Sequence, residues 1–128
     1  MLEAPMIQTR GFRNRDNGFE LRLRLPYYRG LWTSLIEGAE VTVDGRRFSP
    51  RDVRWTIDGA EYSLDELRSS PTARWPVDVP ATLTMPCDEP LALGFHDVSV
   101  DLRLRMSYIP AELQPTIWSE TRRLVISR

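Results

Sequence analysis

Phe19-Glu20-Leu21-Arg22-Leu23-Arg24-Leu25 decides the fold of this chain, together with a second run, Val98-Ser99-Val100-Asp101-Leu102-Arg103-Leu104-Arg105-Met106-Ser107-Tyr108. Apolar and polar side chains alternate strictly in both. Phe19, Leu21, Leu23 and Leu25 share one face, and Glu20, Arg22 and Arg24 the other. A period of two is the signature of a half-buried strand. Pro26 ends the first run and Pro110 the second. Between them, Val41-Thr42-Val43-Asp44-Gly45-Arg46-Arg47-Phe48 carries an Asp-Gly pair suited to the positive φ values of a type I′ hairpin. Trp55-Thr56-Ile57-Asp58-Gly59-Ala60-Glu61-Tyr62 repeats the formula. Two hairpins of a meander explain this better than a duplicated motif, because a solenoid needs more copies.

Ser63-Leu64-Asp65-Glu66-Leu67 is the one good helix start, with Ser63 as cap and Glu66 placed for a capping box. Pro71 limits this helix, and Leu64 and Leu67 are expected to close one end of the sheets. Pro76, Pro80, Pro86 and Pro90 leave room for a strand only at Ala81 to Met85, expected at an edge. Arg123 to Ser127 is expected to form a short last strand. About six to nine strands and one short helix predict an all-β, antiparallel two-sheet β-sandwich, with a small closed barrel as the alternative. Residues 1–128 fit one such domain.

Composition narrows the chemistry. The net charge is −1, which gives no electrostatic case for nucleic acid or an anionic membrane. All 17 basic residues are Arg, so a Schiff-base or P-loop lysine is excluded. Cys87 is the sole cysteine, which rules out an internal disulfide and a cysteine zinc site. Met1 to Arg10 lacks the apolar core of a signal peptide, and no apolar run is long enough to span a bilayer, so the expected location is cytoplasmic. His96, the sole histidine, reads either as a general base near pH 7 or as a corner residue bonded to backbone upstream. Cys87 reads as a nucleophile or an incidental thiol. Asp65/Glu66 and Asp88/Glu89 are sequence neighbours that do not by themselves make an acid/base pair. No catalytic residue and no metal ligand set is therefore assigned.

Arg22, Arg24, Arg103 and Arg105 line the polar sides of the two long strands. If those strands are neighbours, they form a charged ladder, either solvated or a docking surface. The best interface candidate is the loop Pro26-Tyr27-Tyr28-Arg29-Gly30-Leu31-Trp32. Tyr27, Tyr28, Arg29, Leu31 and Trp32 exceed what a plain connection needs, and Tyr, Trp and Arg are the types that anchor interfaces. Tyr108 extends the same apolar end. A different class of reading is a stand-alone carbohydrate- or ligand-binding module that uses Trp32, Trp75 or Trp118 as stacking platforms.

Leu25-Pro26-Tyr27-Tyr28-Arg29-Gly30, followed by Ser34-Leu35-Ile36-Glu37-Gly38, resembles the β subunit of bacterial C-glycoside deglycosidases. The likeness continues through Val41 to Gly45, Tyr62 to Leu67, Trp75 and Val98 to Pro110, covering about Gly18 to the C-terminus. The resemblance implies a hetero-oligomer whose larger α subunit is a TIM barrel holding a divalent metal, typically manganese. It implies action on 3-oxo-C-glucosides bound mainly by α, where a base removes a proton, an enediolate develops beside the metal, and the C–C bond to the aglycone breaks by elimination. The products are an aglycone and an anhydro-keto sugar. This chain would hold no cofactor, would support and stabilise α, and would place the Tyr27–Trp32 loop at the α contact or the pocket rim. It departs from the family pattern at Leu31-Trp32-Thr33, where a smaller, Pro-containing stretch is expected, which puts substrate preference in doubt.

Overall fold

The computed structural model describes residues 5–106 and 109–127. Its strands are β1 (Arg13–Arg15), β2 (Gly18–Leu23), β3 (Leu31–Trp32), β4 (Ile36–Val43), β5 (Arg46–Phe48), β6 (Arg54–Ile57), β7 (Ala60–Tyr62), β8 (Arg74–Trp75), β9 (Ala81–Pro86), β10 (Gly94–Leu104) and β11 (Thr116–Ile126). The α-helix, α1, spans Leu64–Ser69. One sheet has the order β1-β2-β9-β6-β7, the other β11-β10-β4-β5, and β3 with β8 forms a two-stranded ribbon. All named pairings are antiparallel. The architecture is a β-sandwich with open sheet edges, not a barrel.

The alternation places the core. Phe19, Leu21 and Leu23 from β2, and Val98, Val100, Leu102 and Leu104 from β10, belong to one buried cluster. At about 25 cal/mol per Å² of apolar surface, removing such side chains from water contributes roughly 1.5–3 kcal/mol each. Both Asp-Gly turns take the expected form, with φ of 50° and 86° at Asp44-Gly45 and 51° and 84° at Asp58-Gly59. Their hairpins belong to opposite sheets rather than to one meander, because the turn at Pro50–Asp52 carries the chain across. Ser63 and Glu66 form the capping box, and Leu67 is fully buried beneath α1.

Further expectations are corrected, and one open condition is resolved. β9 is central, between β2 and β6, because Pro80 and Pro86 sit at its ends, where no interior ladder N–H is lost. The last strand is eleven residues long, not a short piece from Arg123. The second long strand starts earlier, at Gly94, and stops at Leu104. The two long strands lie in different sheets, so their arginines form no common ladder. Instead Glu20, 3% exposed, accepts from Arg13 (2.5 Å) and Arg15 (3.0 Å), while Arg105 sits on Glu37 at 3.5 Å.

The length of β11 has a purpose at the sandwich edge. Residues 6–8 lie beside β2, with Ile7 opposite Leu23. The Glu120 carboxylate accepts from the backbone N–H groups of Ile7 (2.7 Å) and Met6 (3.0 Å), and Arg122 donates to the Ile7 carbonyl at 2.6 Å. Side chains of the last strand thereby satisfy backbone groups that would otherwise be an open edge.

Candidate functional site

The loop between β2 and β3 lies at the pole where β10 ends. Gly30 sets its path: a Cβ there would stand 2.9 Å from the Trp75 carbonyl, so only glycine lets the loop press on β8. Leu31 pairs with Trp75 and Trp32 with Arg74. Beneath the ribbon, Trp75 is fully buried, meets Trp55 edge-on at 5.6 Å and donates its indole N–H to the Val79 carbonyl. Thr33, also fully buried, donates its hydroxyl to the Leu67 carbonyl at 2.9 Å, tying the ribbon to α1.

On this rigid base the loop holds a cleft of about 440 Å³ lined by Tyr27, Arg29, Gly30, Leu31, Trp32, Leu35, Arg74 and Met106. Leu31 is buried and serves as floor. Tyr28 is 75% exposed and Trp32 46%, large aromatic surface that the chain leaves in water. Their rings are held all the same. The Tyr27 and Tyr28 rings meet at 4.5 Å, tilted by 52°, the Arg29 guanidinium lies 5.7 Å from the Tyr28 ring, and that of Arg74 lies 4.6 Å from the Trp32 ring. A shallower depression adjoins through Leu35 and Met106 and adds Arg105, Ile109 and Gln114. The Gln114 side chain fixes this rim by bonding the backbone of Met106 and Ile109.

Tyr27, Tyr28, Arg29, Leu31 and Trp32 thus meet at one place, while Tyr108 falls outside the described residues. Sequence reasoning missed Arg74. Its only signal was an Arg-Trp pair in a proline-rich stretch, and the β3–β8 pairing is what delivers it. Of the aromatic platforms considered, Trp75 is corrected to a core residue, Trp118 is half-buried, and Trp32 alone is exposed.

His96 and Cys87 lie at the opposite pole. His96 Nε2 donates to the Ala92 carbonyl at 2.7 Å and Nδ1 to the Asp44 carboxylate at 2.5 Å. This is the corner arrangement, with the ring bonded to backbone upstream. Both partners are acceptors, so both ring nitrogens carry protons and the imidazolium is the form that fits. Burial opposes that charge, yet the Ala92 carbonyl and the Asp44 carboxylate outweigh it and raise the His96 pKa. His96 in turn lowers that of Asp44. Cys87 is buried, with its thiol donating to the Glu89 carbonyl and accepting from Arg46. Among the described residues, no three His, Cys, Asp or Glu side chains could together hold a metal ion. Among the same residues, no helix is long and apolar enough to cross a membrane.

Comparison with known proteins adds a family. Residues 2–108 match the family model described as C-glycoside deglycosidase beta subunit. That match begins before Gly18, taking in the clasped N-terminal segment, and ends before β11. A C-glycoside deglycosidase beta subunit of Eubacterium cellulosolvens is 35% identical over 119 residues, 88% of this chain and 81% of that one. One from Microbacterium trichothecenolyticum is 39% identical over 109 residues, 85% and 82% of the two chains. The 3'-dehydrocarminate deglycosidase beta subunit of a Microbacterium species is 36% identical over 106 residues, 83% and 80%.

Proposed function

The chain belongs to the C-glycoside deglycosidase beta subunit family, and from that premise we propose that it docks on an α subunit through the Tyr27–Trp32 pole and supports a reaction performed there. The observation that carries the reading is the exposed yet ordered aromatic surface of Tyr28 and Trp32 on a rigid base. Anchors held in place before binding lose little entropy on docking. By contrast, His96 and Cys87 have their polar atoms engaged within the fold, far from that surface.

The substrate class in this proposal is a C-glucoside already oxidised to a ketone at the sugar 3-position, in keeping with the name of the 3'-dehydrocarminate relative. The ketone acidifies the neighbouring C–H, and elimination opens the C–C bond to the aglycone. The companion is a TIM barrel that carries the base. A divalent ion, manganese by family resemblance, is part of the proposal as a group held by the companion, where it would stabilise an oxygen anion. This chain acts by holding the companion and bordering its aglycone pocket.

Co-expression with the companion subunit tests the reading. Co-purification is expected, with cleavage of a 3-oxo-C-glucoside only when both chains are present. A monodisperse monomer that never co-purifies with a barrel partner would overturn it, as would glycan binding by the chain alone, seen by calorimetry.

A further inference from the structure

The cleft and the depression that adjoins it at Leu35 and Met106 are lined by three charged residues, Arg29, Arg74 and Arg105, and by no Asp or Glu, whereas the groove on the other side of Gly30 and Arg74 carries Asp58 and Asp78. On the cleft side the charge is of one sign, on a chain whose net charge is −1. Arg105 is already engaged with Glu37, which also holds Arg68 at 2.9 Å. Arg29 and Arg74 are different. Among the described residues each has an aromatic ring as its partner and neither has a carboxylate. A guanidinium laid against a ring presents its N–H edge to a planar anion, and the stacking limits the side-chain freedom that binding would cost. The floor between them is apolar: Leu31, Leu35 and Met106.

We infer that this cleft receives an acidic segment of the companion subunit, a carboxylate bound by Arg29 and Arg74 with an adjacent apolar side chain seated on the floor. The inference rests on the docking reading above and names the chemistry of the docked segment. Charge complementarity selects it. An uncharged apolar segment would bury two guanidinium groups without partners, a strongly unfavourable arrangement. A basic segment would meet like charge.

The test uses the complex of the full chain with its companion, with affinity measured at about 50 and 300 mM salt, across which the screening length shortens. Arg29→Gln and Arg74→Gln are each expected to weaken assembly about tenfold or more, and the double variant to flatten the salt dependence. Arg123→Gln, at the other pole, is expected to bind as the unaltered chain does. Arg74→Glu is expected to abolish assembly and to be rescued by an acid-to-Arg change in the companion. Because Arg29 and Arg74 are exposed, their melting temperatures should not move. If both Gln variants keep full affinity and salt dependence while Tyr28→Ala weakens assembly, the acidic segment is overturned and docking stands. If none of these changes affects assembly, docking at this pole falls with it. Normal assembly with a raised substrate KM would assign the cleft to a small aromatic anion and overturn the inference.

Discussion

The two poles of the sandwich are built from similar side chains and do opposite things with them. At the pole of the Asp44-Gly45 turn, polar atoms are used inside the molecule: His96 on Asp44 and Ala92, Cys87 on Glu89, and Asn14 reciprocally on the Leu91 backbone. At the pole of the Tyr27–Trp32 loop, Tyr28 and Trp32 stay in water, and the Arg29 and Arg74 guanidinium groups lie against rings with no carboxylate partner among the described residues. Groups satisfied internally stabilise the fold; ordered groups left unsatisfied are available to a partner. Mutations should therefore separate the poles, changing stability at one and assembly at the other.

The largest effect should come where the distinction breaks down. Trp75→Ala removes the buried base of the exposed ribbon, and a loss of about 3–5 kcal/mol in stability is expected, read by denaturant unfolding. Assembly should fail with it. Tyr28→Ala sharpens the contrast: about 2 kcal/mol or more of binding is lost, measured as the dissociation constant with the companion, with the melting temperature unchanged. His96→Ala is its mirror image, costing roughly 1–3 kcal/mol of stability and leaving assembly untouched, because Asp44 and the Ala92 carbonyl lose their donor.

The same pole predicts a pH dependence. The His96 pKa is raised in the fold, so its contribution is complete below the unfolded value of about 6.5 and is lost as pH rises through the folded value. Asp44 is lowered, so its contribution is present above its unfolded value near 3.9 and lost as pH falls through the folded one. Thermal melts across pH should decline on the alkaline side, and His96→Ala should remove that decline. The smallest effect is expected at Ser63→Ala, about 1 kcal/mol, because the cap steadies α1 and through it the Thr33 bond under the ribbon. Hydrogen exchange at Thr33 would report it.

Much of the framework was legible because local chemistry and tertiary role agree. Alternation marks β2 and β10, the Asp-Gly pairs fix both hairpins, and Ser63 with Glu66 starts the helix. β11 was hidden because its inward positions include Trp118, Glu120 and Arg122, which serve the N-terminal segment rather than a greasy core. The central place of β9 was hidden because prolines at strand ends look like prolines at an edge. At the cleft, the density of Tyr, Arg and Trp was visible in one loop, but which of those side chains are floor and which are surface depends on a partner strand. Leu31 faces Trp75, and Arg74 arrives only by pairing with Trp32.

The clasp of Glu120 and Arg122 on residues 6 and 7 sets a timetable for biosynthesis. Residues 6 and 7 leave the ribosome ahead of β11, and the carboxylate partner of Met6 follows 114 residues later. At about 5–20 residues per second the interval is on the order of ten seconds. During it, the backbone N–H groups of Met6 and Ile7 lack their native carboxylate partner, and one edge of the nascent sheet stays open. This edge is therefore completed only once β11 has been made, so a nascent chain lacking β11 should be the species that needs chaperone protection.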